Sequence, residues 1–153
     1  MKVDAHQHFW RLADRAGAWP PADLVAIHRD FEPADLAPLL RENGIDATVL
    51  VQSLPTAADT ATLLQVARDT DFVRGVVGWA DLKAAGAADA VAALARDPLL
   101  KGLRPMLQDL PEDDWITDPA LAPAAQAMAR HGLVFDALVM PRHLAALHAF
   151  AAA

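Results

Sequence analysis

The chain has no cysteine among its 153 residues. That excludes a disulfide, a thiolate nucleophile and any cysteine-ligated zinc site. It also lacks a basic stripe. Thirteen Lys and Arg stand against twenty Asp and Glu, for a net charge of -7, so nucleic acid is not expected as a partner. No apolar run approaches the roughly 20 residues that a membrane-spanning helix needs. At the N-terminus there is no apolar segment with a small-residue cleavage site. No signal peptide is therefore expected, and the expected location is cytoplasmic. No glycine-rich phosphate loop follows the first strand, which argues against nucleotide binding there. What is present suits one globular domain: the composition is 54% hydrophobic and 22% charged, enough apolar material for a core and too much for disorder.

The start of the chain, Val3-Asp4-Ala5-His6-Gln7-His8-Phe9-Trp10, organises the rest. It reads as a strand, and alternation puts Asp4, His6, His8 and Trp10 on one face. Two imidazoles at that spacing can reach one cation, and neutral imidazole is a common zinc ligand. They are only half of a zinc site, which takes three or four ligands, and a hydrogen-bonded histidine pair is the plain alternative. Asp4 would hold a ring N–H or brace the strand.

Residues 11–31, with Trp19-Pro20-Pro21, predict a long loop with one short helix. Trp19 is expected in a satellite apolar cluster or over a pocket. From there strands and helices alternate. Helices are expected over Glu32–Asn43, Ala57–Asp71, Ala84–Asp97, Asp118–His131 and from Pro141 onward. Strands are expected over Asp46–Ser53, Phe72–Asp81, Leu99–Gln108 and Leu133–Met140. Five strands, each followed by a helix, imply a parallel sheet with helical crossovers. Polar groups gather at the C-terminal ends of the strands: His6 and His8, Gln52, Trp79 and Asp81, Arg104 and Gln108. Both (β/α) barrels and open doubly wound sheets place their sites there.

These residues resemble a known family. Asp4-Ala5-His6-Gln7-His8-Phe9-Trp10 resembles the strand-one His-x-His motif of the amidohydrolase superfamily, and within it the amidohydrolase-related sugar-lactone hydrolases of the L-fuconolactonase and L-rhamnonolactonase group. Lys101-Gly102-Leu103-Arg104 with Leu107-Gln108-Asp109 and Asp113-Asp114-Trp115 is similar to that group's strand-four segment. Gly132-Leu133-Val134-Phe135-Asp136 with Pro141-Arg142-His143-Leu144 is similar to its strand-five segment. Pro105, where relatives often show His, is a departure.

The resemblance implies a (β/α)8 barrel of the TIM type. Such a barrel needs about 250 residues, so residues 1–153 are expected to be the N-terminal part of one barrel domain, incomplete with about five βα units in strand order 1-2-3-4-5. It implies hydrolysis of a sugar lactone, in carbohydrate metabolism. His6 and His8 would be metal ligands, and Arg104, Trp79 and Gln52 substrate contacts. A general-base Asp, and a further His ligand, would lie beyond residue 153. Strand five ends at Met140, where binuclear members carry a bridging Lys, so at most one Zn2+ is expected; activity without a metal is also compatible with the group. Asp136 would pair with a base inside the barrel. His143 is expected as a helix cap or surface residue, and His28, His131 and His148 as surface residues. Exposed sheet edges would invite self-association, and a chain without the base would be inactive or impaired. Two other readings stand beside this one. One is a complete five-stranded doubly wound binding or regulatory module. The other is a catalytically dead or purely structural chain. Strand order separates the first, since a doubly wound sheet reverses direction across strand one.

Overall fold

A computed structural model of the chain describes residues 1–152. Its five strands are β1 (Val3–Gln7), β2 (Ala47–Val51), β3 (Val73–Gly78), β4 (Leu100–Leu103) and β5 (Val134–Phe135). They form one parallel sheet in the order β1-β2-β3-β4-β5. The order never reverses, so the doubly wound alternative is excluded. Five helices return the chain between strands or follow the last: α1 (Pro33–Asn43), α2 (Ala57–Arg68), α3 (Ala87–Leu94), α4 (Ala122–Arg130) and α5 (Leu144–Ala151). No helix among the described residues is long and apolar enough to cross a membrane.

Local chemistry sets the boundaries. Pro33 opens α1, where its missing N–H costs nothing, and the Asp35 carboxylate accepts from the Glu32 N–H at 2.8 Å. Gly44 closes the helix at φ 62°, a left-handed conformation that glycine adopts freely. The Thr56 hydroxyl caps α2 through the Asp59 N–H at 3.1 Å. β2, Ala-Thr-Val-Leu-Val, is buried on both faces, as a strand inside a parallel sheet must be. Its Leu50, with Val76, Leu100 and Leu103, meets Leu63, Leu64, Val91, Ala127 and Met128 from the helices.

The strands differ from expectation most at β4 and β5: the sequence predicts strands over Leu99–Gln108 and Leu133–Met140, and only Leu100–Leu103 and Val134–Phe135 form. β4 is the ladder partner of β5, and β4 stops at Leu103, just before Pro105, which has no N–H to give. Beyond Phe135 the chain keeps single bonds only, Asp136 N to Leu103 O and Gln108 N to Leu138 O. Where the two strands do pair they are very close. A Cβ on Gly102 would lie 2.5 Å from the Val134 carbonyl oxygen, so only glycine fits. His143 is not a surface residue: it is 1% exposed, and its Nδ1 accepts the Met140 N–H at 2.8 Å, so capping is its role. His28, His131 and His148 are exposed.

Candidate active site at the strand ends

Parallel pairing brings the C-terminal ends of β1 to β4 side by side, and with them the side chains singled out from the sequence. Asp4 does not touch an imidazole nitrogen. Its carboxylate accepts from the His6 backbone N–H at 3.1 Å, bracing the strand. His6 is exposed and His8 half-buried, with ring centroids 4.8 Å apart and planes at 81°. Their Nε2 atoms are 3.1 Å apart. His8 Nδ1 lies 2.8 Å from the Val51 carbonyl oxygen. A carbonyl only accepts, so Nδ1 carries the proton and Nε2 presents a lone pair. Burial holds the His8 pKa below its ordinary value; the bond to Val51 opposes this, and the charges of His6, Arg104 and Arg15 add to it.

Arg104 completes the group. It stands one residue past β4, 4% exposed, with Nη1 3.3 Å from His6 Nε2. Gln52, one residue past β2, is fully buried and grips it twice. Gln52 Nε2 donates to the Arg104 carbonyl oxygen at 2.9 Å, and Arg104 Nη2 donates to the Gln52 carbonyl oxygen. The Arg104 N–H is spent on Gly78 O at 2.8 Å. Burial lowers the Arg104 pKa, opposed by the carboxylates of Asp136 and Asp59. Arg104 makes no ion pair with Asp81. Arg104 Nε and Gln52 Oε1 are buried and find no partner among the described residues, the kind of orphan that a substrate or ordered water satisfies. Trp79 is half-buried, its N–H and carbonyl both held by the Thr60 hydroxyl of α2, at 2.7 and 2.9 Å.

The loop after β1 lies against this group. Trp10 and Phe31 exchange backbone hydrogen bonds at 2.9 Å in each direction, which ties the loop's two ends together. Trp19 packs against Trp10 with centroids 5.0 Å apart and approaches the His8 ring edge-on at 6.2 Å. Arg15 anchors the loop from within. It is 5% exposed and donates to Ser53 Oγ at 2.8 Å and to the Phe9 carbonyl oxygen at 3.4 Å, with the Asp59 carboxylate 3.8 Å away. Asp59 in turn accepts the N–H groups of Ser53 and Leu54, each at 3.1 Å. Sequence reasoning missed Arg15, because a lone arginine in a polar loop carries no periodic signal.

Two imidazole Nε2 atoms 3.1 Å apart suit one cation. Two nitrogens at about 2.0–2.1 Å from a tetrahedral zinc ion sit about 3.3 Å from each other. The histidines therefore fit as two ligands. No group of three or more His, Cys, Asp or Glu among the described residues is placed to hold a metal.

A family model described as Amidohydrolase matches residues 3–153. An L-fucono-1,5-lactonase from Burkholderia ambifaria is 61% identical over 151 residues, and one from Burkholderia multivorans is 35% identical over 155. The alignments cover 99% of this chain but 52% and 51% of those proteins, so the chain spans about half the length of the curated relatives it matches. A crystal structure of an amidohydrolase from Burkholderia multivorans with bound zinc superposes with a TM-score of 0.88 at 35% identity, covering 99% of this chain and 54% of that one. A probable 2-pyrone-4,6-dicarboxylic acid hydrolase from Acinetobacter baumannii superposes at 0.74 with 14% identity, over 94% and 51% of the two chains, a likeness of fold alone. The amidohydrolase neighbours are of the TIM-barrel type, and the five parallel strands here form a half-barrel that covers about half of them.

Proposed function

Because the chain belongs to the amidohydrolase family, we propose that its strand ends carry the carbonyl-side half of a lactone-hydrolysing site. The substrate is a sugar lactone of the L-fucono-1,5-lactone kind. Water adds to the ester carbonyl, the bond from the carbonyl carbon to the ring oxygen breaks, and that oxygen takes a proton to give the open hydroxy acid. The observation that carries the reading is the convergence of His6, His8 and Arg104 within 3.1–3.3 Å at the ends of two different strands. Such an arrangement is expensive to build for packing alone, since it holds a guanidinium against an imidazole in a buried setting.

The geometry supports these roles. Arg104, whose Nη1–H faces His6, donates to the carbonyl oxygen as negative charge develops on it. A guanidinium held at two points loses little freedom when it makes that bond. Gln52 acts through Arg104 as a positioning residue, its Nε2 donating to the Arg104 carbonyl oxygen and its own backbone carbonyl oxygen accepting from Arg104 Nη2. Trp79 offers a face to the sugar ring, and Thr60 fixes the backbone from which it projects. When bound between the two imidazoles, zinc supplies Lewis-acid polarisation of the carbonyl. The Asp4 carboxylate is committed to the His6 N–H, and Asp136, one residue past β5, sets its charge against Arg104. As the family resemblance implies, the carboxylate that takes the proton from water comes from outside these five strands, and the chain by itself is a weak catalyst.

Calorimetric binding of L-fuconate, together with a pH-indicator assay on L-fucono-1,5-lactone, tests this. The chain should bind the acid weakly and lose that binding in Arg104→Met. Its turnover should fall short of the Burkholderia ambifaria lactonase by about 10²–10⁴-fold, the usual worth of general-base help. Binding that is absent, or indifferent to Arg104→Met and His6→Ala, would sink the proposal.

A further inference from the structure

The protons at the strand ends can be placed one at a time. His8 Nδ1 donates to Val51 O, so His8 Nε2 is a bare lone pair aimed at His6 Nε2, 3.1 Å away. Arg104 Nη1 can only donate, and it faces the same His6 Nε2 at 3.3 Å. If His6 Nε2 accepts from Arg104, two lone pairs confront each other across 3.1 Å. If His6 Nε2 carries the proton and donates to His8, its N–H confronts the N–H of Arg104. No arrangement of two neutral imidazoles satisfies both contacts. A divalent cation between the rings would use both lone pairs, but it would bring a second positive group to the nitrogen the guanidinium already faces. Nor is Arg104 free to swing away. It is 4% exposed, and its Nη2 donates to the Gln52 carbonyl oxygen, which holds the guanidinium in place.

We propose that Arg104 is a built-in competitor of metal. Its guanidinium and a divalent cation exclude each other at His6 Nε2, so Arg104 keeps the affinity of the His6–His8 pair for zinc low and itself provides the positive charge beside the lactone carbonyl. The identity of residue 104, rather than the histidine pair, then decides whether these strand ends work with a metal or without one. The choice of zinc rests on the amidohydrolase reading above; the competition rests on the three distances.

Titrating the 153-residue chain with zinc chloride against a chromophoric chelator tests the competition with no lactone present. Removing a neighbouring positive charge should tighten zinc binding by at least about tenfold in Arg104→Met, with Arg104→Gln as a second variant and circular dichroism to verify folding. The gain should vanish in His6→Ala/Arg104→Met. Equal or weaker binding by folded Arg104 variants, or a gain that survives loss of His6, would overturn the proposal. Should both variants unfold, nitrogen NMR of the unaltered chain decides. Zinc must shift the Arg104 guanidinium signals together with His6 Nε2 and His8 Nε2; an unmoved guanidinium refutes competition. A failed lactonase assay leaves this result standing, and equal zinc affinities leave the lactonase reading standing.

Discussion

The sheet has two unlike sides. On the helical side Leu50, Val76 and Leu103 are wholly buried, covered by helices from the same chain. Toward the β1 and β5 edges the sheet is open, although β2 between them is buried on both faces. Val3 is 44% and Val134 61% exposed, and His6 is exposed. A βα unit carries its own cover for one face of its strand, because the crossover helix must pack back on the sheet. It carries none for the other. That second face is closed only by strands from across a barrel. The contrast teaches where stability and chemistry reside: the first in the face that local sequence completes, the second in the face that it cannot.

The largest effect should come where the loop after β1 is locked to the helical side. Asp59 leaves α2 to meet Arg15 and the N–H groups of Ser53 and Leu54. Asp59→Ala would strand a buried guanidinium and two amides, and is expected to cost about 3–5 kcal/mol in urea unfolding. It should also release residues 11–31, seen as faster proteolysis between Trp10 and Phe31. A loss below about 1 kcal/mol would mean that the loop is held by its aromatic cluster instead.

Next come paired substitutions that set the two sides against each other. Leu103→Ala removes a fully buried side chain and should cost about 2–5 kcal/mol. Val134→Lys, on the β5 edge, should change stability by no more than about 0.5 kcal/mol. Its effect should appear in association. We propose that the β1 and β5 edges pair chains with one another, since both present unsatisfied N–H and C=O groups. Light scattering should show mass rising with concentration for the unaltered chain and less so for Val134→Lys. A monomer at every concentration would remove the edges from the comparison.

How much of this the residues disclosed follows the same division. The order of strands and helices was legible, because the periodic leucines of α1 and α2 and the β-branched run of β2 report the helical side. So was the placing of His6, His8, Gln52 and Arg104 at strand ends, since period-two alternation and strand termini are local properties. The length of β5 was not legible. Leu133–Met140 is equally apolar whether or not a neighbour supplies a ladder, and β4 ends too soon to do so. Nor did the sequence disclose that Gln52 would spend its amide on Arg104, or that Arg15 would be buried. Both depend on residues 52 and 44 positions away, and no local pattern encodes a contact of that range.

The smallest expected effect lies on the helical side, at its solvent rim. Asp118 accepts from Lys83 Nζ and from the Ala120 N–H at 2.8 and 2.9 Å, and Lys83 also stands over the Trp115 ring. The ammonium first, then the amide, hold the Asp118 carboxyl below its ordinary pKa of 3.8. A carboxylate with a depressed folded-state pKa contributes stability that is fully present above its unfolded value and fades as pH falls through the folded value. The contribution should therefore be constant from neutrality to about pH 4 and lost only below it. Solvent around the Asp118 carboxylate, which is 46% exposed, keeps it small. Lys83→Met should therefore lower stability by a small, constant amount above pH 5, and the two curves should converge as pH falls below about 4. A difference between the two proteins that persisted at neutral pH without an acid-dependent part would assign Lys83 to packing on Trp115 rather than to its charge. The helical side would then owe even its rim to apolar contact.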